Sequence, residues 1–388
     1  MTIQQNESSI RITHAGSLPR PTEVLDQMKA KLAGLSYDAA GYDRRIRDAV
    51  AETVARQVEL GIDYVSDGEL PKPGFFTYVR ERLDGFEPRP SIKLKLWVKE
   101  VGAFPEYYEQ YFKQAMLGGT VAPFVPLVCV GPVRYRGEAA IQRDIDNLKA
   151  AVASARSYAA FMPATAPSGV GLNQYYKTDE EYFHALGAAM RVEYKAIVDA
   201  GLLLQVDDPF IPDIFVDPNL DLGAMRKRAA MYVESINEAL AGIPPEKVRF
   251  HTCYGINHGP RIFEAAFSDI IEFVLKVNAG AYSFEAANPR HEHEYHIWET
   301  VKLPAGKVLI PGVITHCSNI VEHPELIAER LVRFARLVGR ENVIGGADCG
   351  FSSQATYHPE IHPKVVWAKF AAMRDGARIA TKQLWGRN

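Results

Sequence analysis

One repeating pattern limits the folds open to this chain. Three times, an amphipathic helix pattern ends at a glycine, a short apolar run follows, and acidic, cysteine or glycine residues come where that run stops. The three segments are RDAVAETVARQVELGIDYVSDGE, AMRVEYKAIVDAGLLLQVDDP and HPELIAERLVRFARLVGRENVIGGADCG. Helices that alternate with nearly continuous apolar strands predict βαβ units and a parallel sheet.

The helix boundaries can be predicted in each segment. In the first and third, the stripes at helical spacing are Val50, Val54, Val58, Ile327, Leu331, Phe334 and Val338. Gly61 and Gly339 are the expected helix ends. The second helix should begin at Thr178, because Thr178 and Glu181 have the spacing of a capping box.

Six further apolar runs are strand candidates: RITHAGS, PFVPLVCVGPV, AFMPATAP, VRFHTCYG, AYSFEAAN and VLIPGVI. Together with the three strands above they make nine candidates, whereas a (β/α)8 barrel needs eight. One candidate must therefore lie outside the barrel or be wrong. The weakest patterns are AFMPATAP and the opening RITHAGS.

The unusual polar residues favour a barrel over an open doubly wound sheet. An open sheet of that kind usually carries a GxGxxG turn after an early strand, and the sequence contains none. The unusual residues instead follow strands along the whole chain, and a barrel gathers its active site at such strand ends. We therefore predict the α/β class, with one (β/α)8 TIM-type barrel domain over residues 1–388. A helical insertion is expected near the barrel mouth at residues 86–122, which include WVKEVGAFPEYYEQYF.

The composition argues against two classes of partner. A formal net charge of −3 gives no support for nucleic-acid binding or for a polybasic membrane patch. The opening MTIQQNESSIRI lacks the layout of a signal peptide, and the longest nearly apolar run is shorter than the roughly 20 residues of a membrane helix. We expect a cytoplasmic protein that binds neither nucleic acid nor membrane. Its oligomeric state is not indicated.

The polar residues at the predicted strand ends are Ser17, Asp67, Glu69, Asp207, Asp208, His251, Cys253, Glu285, Asp348 and Cys349. Four of them, His251, Cys253, Glu285 and Cys349, offer one nitrogen, two sulfur and one oxygen donor, a set that suits Zn²⁺. The alternative is structural: the cysteines would be ordinary buried residues, Glu285 would form a salt bridge, and ADCG would be a turn. Spacing alone leaves both interpretations open.

Two acidic residues form a separate candidate site. Glu69 and Asp207 could hold an ammonium group, or they could be carboxylates paired with solvent or with a lid. In VDDP, Asp207 and Asp208 point in opposite directions, so only one should face the pocket.

We interpret the histidine-rich NPRHEHEYHIWE as a charged loop and helix start. Cys129 and Cys317 are not expected to be ligands.

These motifs resemble a known family. THAGSLPRP, DGELPKPGF, LLQVDDP, HTCYG, YSFEAANPR, IPGVI and ADCGF resemble the catalytic barrel of cobalamin-independent methionine synthase and its shorter single-barrel relatives. The resemblance implies one zinc ion held by His251, Cys253, Glu285 and Cys349. It implies an amino acid substrate held by Ser17, Glu69 and Asp207. It also implies a proton donor at His316, although GVITHCSN matches the family histidine only with a one-residue offset.

The resemblance implies zinc-dependent methyl transfer to a thiolate, with homocysteine as the expected acceptor and methionine as the product. The donor would be a methylfolate or a methylated corrinoid protein, and no second folate-binding barrel is expected in 388 residues. One alternative is another zinc alkyltransferase, such as the epoxyalkane:coenzyme M transferase among the short relatives, or an enzyme that demethylates a metabolite. The alternative class is a metal-free decarboxylase-type barrel. That barrel would need an arginine-lined cleft, and HAGSLPRP supplies only Arg20.

Overall fold

The computed structural model describes residues 2–93, 96–116, 119–122, 125–155, 157–255 and 258–386. Its strands are β1 Tyr64–Val65, β2 Leu83–Pro88, β3 Leu127–Tyr135, β4 Ala159–Thr165, β5 Leu172–Asn173, β6 Leu203–Asp207, β7 Val248–His251, β8 Ala281–Phe284, β9 Val308–Ile314 and β10 Gly346–Ala347. Its α-helices are α1 Thr22–Leu32, α2 Ala39–Glu59, α3 Val98–Ala103, α4 Pro105–Tyr111, α5 Glu138–Ala155, α6 Asp179–Asp199, α7 Phe210–Ile214, α8 Leu222–Ala239, α9 Phe267–Val274, α10 Pro324–Val338 and α11 Pro363–Trp385. Within the described residues, none of these helices combines the length and the apolar character that a membrane crossing requires.

Seven strands form one parallel sheet in the order β1-β4-β6-β7-β8-β9-β10. The opening segment around Ile12 lies between the two edge strands, β1 and β10, and so closes the sheet into a barrel. Ile12 forms a parallel bridge with Gly345 beside β10, and its carbonyl accepts the N–H of Asp63 beside β1 at 3.0 Å. The predicted α/β class with a TIM-type barrel is therefore confirmed.

The prediction of the odd strand is wrong. AFMPATAP forms β4, which is buried along its whole length, and RITHAGS closes the barrel. Among the nine candidates, the one that lies outside the barrel is PFVPLVCVGPV. It forms β3, which pairs with β2 and β5 in a separate three-stranded sheet. Strand β4 contains Pro163, whose carbonyl accepts a hydrogen bond from Lys72 beyond the end of β1. Among the described residues, no strand pairs with Pro163 on that side, so its missing N–H removes no ladder bond.

The predicted helix ends agree with the structure. Helix α2 stops at Glu59 and is followed by Gly61 at φ +79°, while α10 is closed by Gly339 at φ +92°. Thr178 is the N-cap of α6, and its side chain accepts the N–H of Glu181 at 3.1 Å. In the reciprocal hydrogen bond of the capping box, the carboxylate of Glu181 accepts the N–H of Lys177 instead of that of Thr178.

Apolar side chains fill the barrel at the N-terminal ends of its strands. This inner cluster consists of Tyr64, Ala159, Phe161, Leu203, Ala281, Val308, Ile310 and Ile344. Next to it lies the guanidinium of Arg249, 3.9 Å from the ring centre of Phe161, donating to Thr13 Oγ1 and to the carbonyl of His14. The barrel interior therefore changes from apolar to charged toward the C-terminal strand ends.

Short helices occupy the chain between β2 and β3. These are α3, α4 and a π-helical stretch at Phe112–Met116. The buried Glu100 ties α3 to the loop after β7, because its carboxylate accepts the N–H groups of Ile262 and Phe263 at 3.1 and 2.7 Å. The assignment of residues 86–122 to an insertion in a single domain stays a prediction.

Candidate metal and substrate site

Most of the predicted site residues stand at one end of the barrel. Asp207 and His251 are the last residues of β6 and β7, and Glu285 directly follows β8. Cys349 comes two residues after β10, and Ser17 follows the opening strand. Parallel strands thus gather these side chains at their C-terminal ends, as in other barrels.

Three of the four predicted metal ligands lie together. His251, Cys253 and Cys349 are all buried, and each offers a donor atom within 4.8 Å of the other two. The Sγ atoms of the two cysteines are 3.2 Å apart. Strand β7 ends at His251, so Cys253 stands in the following turn and not in the strand itself.

The imidazole of His251 is oriented by one contact. Its Nδ1 lies 3.0 Å from Ser283 Oγ, while its buried Nε2 has no hydrogen-bond partner among the described residues. Burial lowers the pKa of His251 to about 3, with help from the charges of Arg249 and His316. The ring is therefore neutral at physiological pH and has one nitrogen free to act as a ligand.

The thiol of Cys349 is in a setting that disfavours negative charge. The hydrogen bond to Cys253, burial, and the charges of Cys253 and Glu285 raise the pKa of Cys349 well above its ordinary value. Cys349 would be a thiolate only if a cation lay beside it.

Glu285, the fourth predicted ligand, is grouped differently. Its carboxylate lies within 4.8 Å of donor atoms of His316 and Asp348. One oxygen accepts the N–H of Tyr254 at 2.8 Å, and the other accepts the amide of Asn288 at 2.7 Å. Glu285 is thus hydrogen-bonded to Tyr254 and Asn288, next to the three-donor cluster formed by His251, Cys253 and Cys349.

His316 is buried beside this carboxylate. Burial by itself would lower its pKa, but Cys317 and Glu285 outweigh burial and raise the pKa to about 10. Its Nε2 lies 3.4 Å from Cys317 Sγ. Asp348 accepts the N–H groups of Ala286 and Ala287 and so fixes the turn after β8.

A cavity of about 540 Å³ opens at this end of the barrel. The predicted site residues on its wall are Ser17, Glu69, Asp207, His251, Cys253 and Cys349. Neither Glu285 nor His316 is among the described residues that line it. Much of the remaining wall is aromatic, including the rings of Phe75, Phe76 and Phe210 and the side chain of Trp97. The cavity therefore has a polar end near the thiols and a large apolar part.

Glu69 and Asp207 stand on the same wall. Glu69 has φ +54°, a backbone conformation that non-glycine residues rarely adopt, and its Oε1 pairs with Lys72 at 3.3 Å. Asp207 accepts the amide of Gln205 at 2.7 Å. Burial and the neighbouring Glu69 raise the pKa of Asp207 well above its ordinary value. Two acids that disfavour each other's charge form a suitable site for a cation.

A comparison with known protein families decides what kind of protein carries this site. Residues 172–374, more than half of the chain, match the model described as cobalamin-independent synthase, catalytic domain. The chain belongs to this family. It is therefore an enzyme of the methionine synthase type.

Curated relatives match this chain over nearly their full length. An uncharacterized protein of Bacillus subtilis strain 168 is 24% identical over 360 residues, which cover 91% of this chain and 90% of the relative. A protein named methionine synthase from Sulfolobus acidocaldarius is 23% identical over 373 residues, which cover 96% and 92% of the two chains.

Solved structures of B12-independent methionine synthases share the fold. The protein from Shewanella sp. W3-18-1, in complex with selenomethionine, superposes with a TM-score of 0.73 at 18% identity and covers 98% of this chain and 100% of its own. A putative vitamin-B12 independent methionine synthase from Listeria monocytogenes gives a TM-score of 0.66 at 19% identity and covers 96% and 99%.

Sequence reasoning missed the residues that support the predicted site residues. Ser283 and Gln205 each stand two positions before a predicted site residue on the same strand or its end, so period-two spacing could have found them. Lys72 and Asn288 each follow a site glutamate by three positions. The roles of these two residues depend on contacts made by the fold, which no local pattern indicates.

Two other side chains, Arg20 and Asp208, have structural roles. Arg20 donates to the backbone carbonyls of Ser352, Glu69 and Lys72, so it joins two loops. Asp208 accepts the N–H groups of Phe210 and Ile211 and so begins α7, while its neighbour Asp207 lines the cavity.

Proposed function

We propose that this protein is a zinc-dependent methyltransferase that passes a methyl group to the sulfur of homocysteine and forms methionine. The observation that carries the proposal is the buried cluster of His251 with two thiols, in which the Nε2 of His251 has no hydrogen-bond partner among the described residues. Membership of the synthase family supports the reaction class. The Shewanella relative was solved in complex with selenomethionine, the selenium analogue of the expected product.

The residues present fit a zinc ion. A neutral imidazole nitrogen and two cysteine sulfurs are preferred zinc ligands, and His251, Cys253 and Cys349 would supply them. Glu285, whose charge acts on Cys349, would supply the fourth. When bound, zinc supplies the charge that keeps a substrate thiol, whose ordinary pKa is about 8.5, deprotonated at neutral pH.

Glu285 is our candidate for the ligand that a substrate thiol replaces. Its carboxylate already has partners outside the three-donor cluster, namely the N–H of Tyr254 and the side-chain amide of Asn288. A carboxylate held in this way is satisfied without a metal bond. We therefore propose that Glu285 would be the ligand most easily given up to a substrate thiol, and that His251 and the two cysteines would hold the metal.

Glu69 and Asp207 would bind the ammonium group of homocysteine, and Ser17 would contact the same substrate. Binding the amine on the cavity wall would hold the sulfur beside the thiols, and such positioning lowers the barrier to a bimolecular reaction by several kcal/mol. The same two carboxylates would repel the sulfonate of coenzyme M. An amino acid acceptor is therefore favoured over epoxide opening by coenzyme M.

The methyl donor would enter from the apolar part of the cavity. The rings of Phe75, Phe76 and Phe210 offer an apolar wall that would keep water away from the reacting sulfur. A methylfolate and a methylated corrinoid are the two candidate donors. A proton-donor role for His316 stays a prediction, and its position near Glu285 and Asp348 also suits the orientation of Glu285.

The test is methionine formation. Zinc-loaded protein would be incubated with homocysteine and either methyltetrahydrofolate or methylcobalamin, and methionine would be measured by mass spectrometry. We expect methionine from one donor with wild type and none with Cys349→Ser. If homocysteine binds but neither donor yields methionine, the proposed donors are wrong. An adduct formed only from coenzyme M and an epoxide would support the alternative alkyltransferase.

A further inference from the structure

Lys72 is a buried cation behind the amine-binding wall. Its side chain is 2% exposed, and its Nζ pairs with Glu69 Oε1 at 3.3 Å and donates to the carbonyl of Pro163 at 2.6 Å. The ammonium also lies 4.4 Å from the ring centre of Tyr78. A lysine held by three contacts has little freedom to leave, so it acts as a fixed charge.

Glu69 and Asp207 are supported in the same way. Each carboxylate accepts one hydrogen bond from a buried side chain, Lys72 for Glu69 and Gln205 for Asp207. Among the described residues, the second oxygen of each acid has no hydrogen-bond partner, and both acids line the cavity. One oxygen of each acid is therefore fixed, and the other remains available to a ligand.

The backbone and the side chain of Glu69 are fixed by different groups. Its N–H donates to Asp67 Oδ1 at 2.9 Å and its carbonyl accepts a bond from Arg20 at 2.7 Å, which holds the chain at φ +54°. Within the described residues, the carboxylate itself is held by Lys72 alone. Removing Lys72 would therefore free the carboxylate and leave the backbone in place.

We propose that Lys72 is a positioning residue that sets the specificity of this site for an amine, an inference that rests on the proposed function. Lys72 directs the carboxylate of Glu69, and its charge leaves the group of Glu69, Asp207 and Lys72 with one net negative charge when both acids are ionised. One ammonium group balances that charge. An anionic thiol or a thiol without an amine would lack this match.

The experiment compares the binding of methionine with that of 4-(methylthio)butyrate, the same molecule without its amine, by calorimetry. We expect wild type to prefer methionine by at least about tenfold. Lys72→Met should reduce that preference about tenfold, because Glu69 loses its orientation. Lys72→Arg, which keeps the charge, should retain most of it.

Two controls separate positioning from folding. Lys369→Met removes another buried ion pair, between Lys369 and Glu322, whose residues do not line the cavity, and it should lower stability without changing the preference. In a Glu69→Gln background, adding Lys72→Met should have no further effect on the preference, because Lys72 acts through Glu69. This double variant removes both members of the Lys72–Glu69 pair, so neither is left as an unpaired buried ion.

Each other outcome overturns a distinct claim. If Lys72→Met weakens the binding of both ligands equally, or if Lys72 matters just as much without Glu69, the positioning role is wrong. If wild type shows no preference for the amine, the amino acid acceptor of the proposed function is wrong as well. If Lys72→Met strengthens methionine binding, Lys72 competes with the ligand and the proposal is overturned.

Discussion

The Sγ atoms of Cys253 and Cys349 lie 3.2 Å apart, although 96 residues separate the two cysteines in the chain. Their strands, β7 and β10, are not neighbours, since β8 and β9 lie between them in the sheet. The curvature of the barrel and the turns after the two strands bring the thiols together. With His251, whose Nε2 has no hydrogen-bond partner among the described residues, they form a group of three donors that points to a metal ion.

Replacing either of these cysteines should remove zinc. We expect Cys253→Ser and Cys349→Ser to lower the content from about one zinc per chain to less than about a tenth, because each loses a thiolate ligand. The measurement is elemental analysis after dialysis. Cys317→Ser is the matched control and should keep its zinc, because Cys317 lies outside the three-donor group. Zinc retained by both cluster variants would place the metal elsewhere.

Ser283 should control zinc affinity without contacting the metal. Ser283→Ala removes the partner of His251 Nδ1, so we expect zinc affinity to fall about 10- to 100-fold while full loading persists at high zinc concentration. Competition with a chromogenic chelator measures this affinity. Thr252→Val removes a buried hydroxyl that has no partner among the described residues, and it should leave affinity nearly unchanged. Equal losses in the two variants would speak against a specific role for Ser283.

Asp207 and its neighbour Asp208 should have separable effects. Asp207→Asn should raise the KM for homocysteine at least about tenfold and leave the KM for the methyl donor unchanged, because the residue would contact only the amine. Asp208→Ala should instead lower the free energy of unfolding by about 1 to 2 kcal/mol, because it removes the oxygen that accepts the N–H groups of Phe210 and Ile211 at the start of α7. Steady-state kinetics of both variants measures the KM values, and urea unfolding of both measures the free energy of unfolding. A normal KM in Asp207→Asn would contradict amine binding there.

His291 should stabilise the fold more at low pH than at high pH. Burial alone would lower its pKa, but hydrogen bonds with Glu264 and Glu294 raise it to about 9. Because the folded-state pKa exceeds the unfolded value of about 6.5, the stabilisation is full below pH 6.5 and disappears as the pH rises through 9. The difference in unfolding free energy between wild type and His291→Gln should therefore shrink by about 2 to 3 kcal/mol from pH 6 to pH 9.5. A difference independent of pH would show that folding leaves the pKa of His291 unchanged and would contradict this prediction.

Local patterns were sufficient for the barrel and for the six predicted site residues on the cavity wall. Nearly continuous apolar strands and glycine-capped helices imply parallel pairing, and parallel pairing alone brings Asp207, His251 and Cys349 to one face. The odd strand β3 was misjudged because an apolar run does not reveal which sheet it joins. The position of Glu285 was equally hidden, because it depends on contacts with Tyr254 and Asn288 that only the folded chain creates.

The most direct test of the central claim is thiol binding at the proposed metal centre. Protein loaded with Co²⁺ in place of Zn²⁺ would be titrated with homocysteine, and the sulfur-to-metal charge-transfer absorption would be recorded in the near ultraviolet. We predict that this absorption grows and saturates at one homocysteine per chain, in wild type and not in Cys349→Ser. A spectrum that stays unchanged while calorimetry shows bound homocysteine would contradict the claim that this centre activates the thiol.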